Sequence, residues 1–300
     1  MAVSCEFHRL FNKSVPHILE RIFSSLDYKS FLNCLEVSKA WNDMLTSEAF
    51  QRLSKSIFFE DIQKELMQAV KEGSEIGVRR ILSSGMVDIH YLNNMNVLGV
   101  ETNKYWKYRW TPLNYAACNG HEDMVQLFLD RGADPNMATQ NGFTPLSWAA
   151  YKGRKAVVEL LLDRGADHNK ASQGGDTPLH HAAYKGHKDV VQLLLDRGAE
   201  SNMADPAGNT PLHEAAWKGH IDAVQLLLNG GAKPNMADHF GRTPLYAASY
   251  EGHKDVVQLL LDRGAKPNMA DHNGRTPRTW ALLKGHEDVA NILRDNGGTE

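Results

Sequence analysis

A Thr-Pro pair recurs at Thr111, Thr144, Thr177, Thr210, Thr243 and Thr276, each thirty-three residues after the last. A fixed period of that length means a stack of similar units, because one unit cannot hide its own apolar face and must bury it on a neighbour. One full unit reads TPLHHAAYKGHKDVVQLLLDRGAE from Thr177 to Glu200, followed by the loop SNMADPAGN. Its residues predict two helices. The Thr177 hydroxyl can cap the first, and Pro178, with no N–H to lose, suits the first helical position. Leu179, Ala182, Ala183 and Gly186 then share one face, where small side chains let a neighbouring backbone come close, and Gly186 ends the helix. Asp189 opens the second helix, whose Val190, Val191, Leu194 and Leu195 form an apolar stripe until Gly198 stops it. Equivalent stops stand at Gly132, Gly165, Gly231 and Gly264.

The T-P-L-H-x-A-A pattern resembles the ankyrin repeat. The resemblance implies an α-solenoid of about seven helix-turn-helix units with projecting β-turn fingers. The expected units are 59–105, 106–138, 139–171, 172–204, 205–237, 238–270 and 271–300. The first is degenerate: LMQAVKEG from Leu66 matches LNYAACNG from Leu113, forty-seven residues on, so it carries a fourteen-residue insertion at 92–105. The last departs as well, with Arg278 where Leu is expected, Leu282 in place of the second Ala, and a polar tail that suits a terminal cap.

Residues 8–54 form a different module. Val15-Pro16, then Ile22-Phe23-Ser24-Ser25-Leu26-Asp27, then Val37-Ser38-Lys39-Ala40-Trp41 resemble the F-box, a three-helix motif that docks the Skp-type adaptor of SCF ubiquitin ligases. The resemblance implies that Pro16, Leu19, Ile22, Leu26, Leu35, Val37 and Trp41 contact the adaptor. The Pro16-to-Ile22 spacing is about one residue short of the family pattern, and Phe50 stands where many F-boxes carry a second Trp. Ile18, Leu19, Ile22, Leu26, Phe31, Leu32, Leu35 and Trp41 also crowd a segment near the size below which a domain rarely stands alone. Part of that surface either meets a partner or packs on itself and the first repeat. The all-α reading continues through residues 56–66, where Phe58, Ile62 and Leu66 share a helical stripe without Gly or Pro, predicting a rigid junction.

On each first helix, the position after T-P-L-H and those three and four further on face away from the core. The first column reads Tyr115, Trp148, His181, Glu214, Ala247 and Trp280; the second reads Cys118, Tyr151, Tyr184, Trp217, Tyr250 and Leu283. The third is mostly lysine: Asn119, Lys152, Lys185, Lys218, Glu251 and Lys284. A concave strip of Trp148, Tyr151, Tyr184, Trp217 and Tyr250 edged with positive charge is one candidate partner-binding surface, since Tyr and Trp often anchor interfaces. Alternatively, those rings stack on each other or were spread by duplication. The insertion and its flank, with Tyr105, Trp106, Tyr108 and Trp110 among Lys104, Lys107 and Arg109, are the other candidate. Alternation there suits a β-hairpin that either contacts a protein or folds back on the scaffold.

Composition narrows the functions. Lys+Arg 33 against Asp+Glu 36 gives a net charge of −3, which argues against nucleic acid as the main partner. No apolar stretch reaches the ~18 residues of a membrane helix, and the first twenty residues lack a secretory apolar core, so cytoplasm or nucleus is expected. Cys5, Cys34 and Cys118 form no C-x-x-C pair, and the common phosphate, metal and hydrolase motifs are missing, so neither cofactor nor metal is expected. His121, His187, His220, His253 and His286 share one column, and His180 and His213 another, which points to structural hydrogen bonds rather than ligation. The two resemblances together imply a non-catalytic substrate-recognition subunit of an SCF-type ligase, monomeric outside the complex, whose partners are the Skp-type adaptor, a cullin and an unidentified protein substrate. The rivals are a ligase-independent ankyrin scaffold and an enzyme using Cys34 or Cys118.

Overall fold

A computed structural model describes residues 65–83 and 110–300. The chain divides into two compact units, Met1–Met95 and Asn96–Glu300. In the first, residues 65–71 are helical, Gly73 turns the chain, and α1 follows at Glu75–Ser83. Leu66, Val70 and Val78 are fully buried. The Ser74 amide donates to the Ala69 carbonyl (2.9 Å), as the His121 amide does to Ala116 (3.0 Å). The degenerate unit has lost its T-P-L-H text and kept its turn.

The second unit contains six helix pairs: α2 (Pro112–Asn119) with α3 (Glu122–Asp130), α4 (Pro145–Tyr151) with α5 (Lys155–Asp163), α6 (Pro178–Lys185) with α7 (Lys188–Asp196), α8 (Pro211–Lys218) with α9 (Ile221–Asn229), α10 (Pro244–Glu251) with α11 (Lys254–Asp262), and α12 (Pro277–Leu283) with α13 (Glu287–Asp295). Proline opens every first helix, and Thr111, Thr144, Thr177, Thr243 and Thr276 each accept a backbone N–H on the side-chain oxygen. Gly186 closes α6 at φ +71°, and a Cβ there would lie 2.6 Å from His220 Nδ1, so both conformation and space require glycine. The expected core is in place: Leu179, Ala182, Ala183, Val191 and Leu194 are all at 0% exposure. Each buried Leu or Val contributes roughly 1.5–3 kcal/mol of transfer free energy. Leu195 differs from expectation and is only half-buried, because it lies at the edge of the α7 stripe, where the second helices pack against each other less extensively than the first. That inequality curves the stack toward the first helices, which line its concave face.

Polar rungs join each repeat only to its neighbours. His187, His220, His253 and His286 Nε2 meet the carbonyls of Tyr151, Tyr184, Trp217 and Tyr250 at 3.0–3.1 Å, thirty-six residues back. Arg154 takes the histidine's place in its repeat and donates to the Cys118 carbonyl (3.4 Å). On the far side, the amides of Asp167, Lys233, Lys266 and Thr299 donate to Asn136, Asn202, Asn235 and Asn268 Oδ1 at 2.7–2.8 Å. Such bonds stabilise by about 1 kcal/mol each, but they fix the register of the stack.

The fingers are five-residue turns. The first residue's amide donates to the fifth residue's carbonyl, as in Thr139 to Phe143, Ser172 to Asp176, Asp205 to Asn209 and Asp238 to Arg242 (2.8–2.9 Å). Adjacent fingers are joined by Gln173 N–H to Asn141 O (3.0 Å), His239 to Ala207 (2.9 Å) and His272 to Phe240 (2.9 Å). The corresponding donor between the fingers at 172–176 and 205–209 would be residue 206, which is Pro206 and has no N–H.

Candidate functional site on the concave face

The histidines after T-P-L are structural. The Thr177 amide donates to His180 Nδ1 (3.1 Å) while His180 Nε2 faces the Asn209 carbonyl (3.2 Å); His213 repeats this with Thr210 (3.0 Å) and Arg242 (3.1 Å). Each ring therefore fastens its own helix cap to the next finger. Burial pushes His180 down to about 4 and His213 down as well, so both are neutral imidazoles near pH 7.

Of the predicted concave strip, Trp148, Tyr151, Tyr184, Trp217 and Tyr250 are all half-buried. Trp217 and Tyr250 stack (5.4 Å between centroids), and Tyr246 and Trp280 extend that cluster at 5.8 and 5.7 Å from Tyr250 and Tyr246 respectively. The tyrosines at 151 and 184 are separated by lysine instead. Lys185 lies 4.5 Å above Tyr151 and 5.3 Å from Tyr184, while Lys218 lies 4.6 Å above Tyr184. Lysine therefore caps tyrosine across successive repeats, whereas the expectation was a separate positive edge. Glu251 occupies the lysine position of its repeat, and there Trp217 meets Tyr250 directly.

The first column is less open than expected. His181 and Ala247 are buried and the remaining members half-buried; at Trp148 and His181 a ring from the preceding repeat is the cover, and at Trp280 it is Arg275 of the same repeat. In those first two repeats the covering residue is the one before the preceding Thr-Pro, thirty-eight positions earlier. Trp110 stacks on Trp148 at 4.5 Å, and Phe143 stacks on His181 at 4.7 Å. Trp110, counted above with the insertion, is 3% exposed and belongs to this slot. In the next repeat the corresponding residues are Asp176 and Glu214, and the Asp176 charge acts on Glu214. Neither carboxylate accepts a hydrogen bond or pairs with a cation among the described residues. Burial first, then Asp176 and Asp205, push Glu214 up to about 7, with Lys218 opposing; burial and Asp205 raise Asp176. The thirty-eight-residue offset was the available sequence signal, and the thirty-three-residue period concealed it.

Beside Glu214 opens a cleft of about 270 Å³ walled by Tyr184, Trp217 and Tyr246. Arg242 also lines it, but is held by Asp238 (2.6 Å) and lies 4.7 Å above the exposed Phe240 ring. Cys118 is buried and its thiol is pushed up by burial, with Lys152 and Arg154 opposing, the reverse of what a nucleophile needs. Among the described residues no three metal-ligating side chains converge, and no helix is long and apolar enough to cross a membrane. At the last repeat, Arg278 reaches Glu300 (3.1 Å), while Leu282 and Leu283 are exposed, so its outer face is less polar than expected. The candidate adaptor contacts Pro16, Leu19, Ile22, Leu26, Leu35, Val37 and Trp41, the insertion aromatics Tyr105, Trp106 and Tyr108, Cys34 and the 56–64 part of the junction lie outside the described residues.

Paired helices, finger turns and rungs that reach only the adjacent pair define a repeat solenoid. The ankyrin-repeat family model matches in three copies, over residues 66–172, 165–238 and 230–300, and the chain belongs to that family. An F-box-like domain matches residues 16–56. A search of curated proteins finds no matching relative. Both modules typically serve interaction rather than catalysis, and together they fit a substrate-adaptor or protein-interaction role.

Proposed function

We propose that this chain is the substrate-recruiting subunit of an SCF-type cullin-RING ubiquitin ligase. Its F-box-like segment docks a Skp-type adaptor, and the concave face of the repeats holds the protein to be modified. The mechanism is proximity: the chain performs no chemistry and brings a bound protein to the ubiquitin-charged enzyme. The observation that carries this reading is the F-box-like match at 16–56 beside an ankyrin array in one chain. The cytoplasm or nucleus is the compartment that suits it.

The test is co-purification of the tagged full chain with the Skp-type adaptor and cullin. Leu26→Asp with Trp41→Ala should abolish it while leaving the helical circular dichroism of the array intact. No adaptor on the parent chain, or undiminished adaptor on the variant, refutes the proposal. The shortened Pro16-to-Ile22 spacing and Phe50 favour one alternative, a ligase-independent scaffold in which the amino-terminal module only packs. That alternative expects partner capture without adaptor.

A further inference from the structure

The cleft on α8 has a distinctive charge balance. Of its charged walls, Arg242 is neutralised by Asp238 at 2.6 Å, and the Lys218 ammonium sits above the Tyr184 ring, where the π-face accommodates it. Glu214 is left with no hydrogen bond or ion pair among the described residues, although Lys218 is one turn away on the same helix. Asp176, outside the lining, adds its charge to that of Glu214 and is equally without a hydrogen bond or ion pair among the described residues. The adjacent junction fills the same slot with the Phe143–His181 stack, so two like charges here are a choice of residues rather than a demand of the fold. Like charges acting on each other destabilise the empty state, and a cation brought to Glu214 relieves that cost. No third ligating side chain joins them, so a metal ion is poorly served. The aromatic walls suit an organic cation with an aliphatic stem.

We propose that this cleft is a receptor for a basic side chain, lysine or arginine, projected by a protein partner, with the charged head at Glu214 and the stem against Trp217. The proposal rests on the reading that the concave face holds a protein, and it names the chemistry that protein must present. The elevated Glu214 carboxyl agrees with it, since a bound cation would draw that group back to its ionised form.

The experiment uses the full chain labelled with 5-fluorotryptophan, with the Trp217 fluorine resonance assigned by its loss in Trp217→Phe. N-acetyl-arginine amide and N-acetyl-lysine amide are titrated in, against N-acetyl-citrulline amide, which keeps the arginine shape without the charge. Both basic probes should shift Trp217 saturably. Citrulline, or Glu214→Gln with the basic probes, should bind about ten-fold more weakly, as the loss of one charge-assisted contact predicts. Thermal unfolding of Glu214→Gln checks that the array stays folded. Citrulline binding as well as arginine, Glu214→Gln binding as well as the parent, or a silent Trp217 overturns the proposal. The readout involves no adaptor. Failure here with adaptor still co-purifying removes only the ligand chemistry, whereas loss of adaptor binding with the probes still titrating removes the ligase reading alone.

Discussion

Two successive junctions of the array, α4 with α6 and α6 with α8, are built from the same thirty-three-residue text and differ in what they do with it. At the first, Phe143 stacks on His181 and the Gln173 amide reaches the Asn141 carbonyl. At the second, the corresponding residues are the carboxylates Asp176 and Glu214, and Pro206 has no amide to offer the preceding finger. The finger at 172–176 is also closed by Ser172, whereas Asp205 and Asp238 close theirs with carboxylate-accepted bonds to two backbone amides each. The buried layers do not share this difference: Leu146, Leu179 and Leu212 are all fully buried. The buried leucine layer is common to these repeats while the finger side varies, and the variation falls where the cleft opens.

The comparison breaks most violently if the common layer is damaged. Leu212→Ala should cost about 2–5 kcal/mol, read as a lower urea midpoint, since the cavity cannot fully collapse; a cost below about 1 kcal/mol would mean that the α8 layer contributes little. Next comes the charge. With Glu214 pushed up to about 7, the native state holds a proton that the unfolded chain releases above its ordinary carboxyl value, so this group favours folding at low pH, and its contribution declines as pH rises to about 7. Asp176 acts in the same direction; Asp205, held low, and His180, His181 and His213 act in the opposite one. Those groups are common to both proteins. Glu214→Gln should therefore gain stability relative to the parent as pH rises, by up to about 1.4 kcal/mol per pH unit in denaturation series. A parallel pair of pH profiles would contradict it.

A smaller effect is expected from making the junctions alike. Asp176→Phe with Glu214→His transplants the neighbouring ring pair and should stabilise by about 0.5–1.5 kcal/mol beyond the relief of charge, with basic-probe binding lost; unchanged denaturation would mean that the slot carries no energy. The least effect belongs to Pro206→Gln. It restores a donor worth about 1 kcal/mol and gives back up to about 1 kcal/mol of unfolded-chain entropy, so net stability should barely move. The amide at 206 should nevertheless exchange as slowly with deuterium as the hydrogen-bonded amides at 173 and 239; faster exchange than theirs would show that the rung does not form.

Helices, caps and glycine stops were legible because they depend on local chemistry: Thr-Pro, the small alanines and the left-handed glycines fix each unit without reference to its neighbours. The histidine columns were legible for the same reason, their spacing being that of the repeat. The thirty-eight-residue pairing was not, because the finger's projection rather than the period sets which side chain it covers; Trp110 was consequently read as part of the insertion. Nor was the lysine-over-tyrosine alternation visible, since a column read down the sequence shows which residues share a face and not which lean across to the next repeat. Leu195 was placed in the core from its helical spacing alone, whereas its half-exposure follows from the curvature of the stack.

Members that touch only their neighbours carry load in series, so the compliance of the array is a sum over its joints. The joint at Pro206 lacks one finger rung, yet His180 to Asn209, His220 to Tyr184 and the packed pair α6 and α8 all span it, so the missing bond is shared out among the others. The opening on α8 lies beside a joint whose finger edge lacks a rung but whose helix layers are fully packed, so its aromatic walls are carried by the scaffold rather than by the fingers.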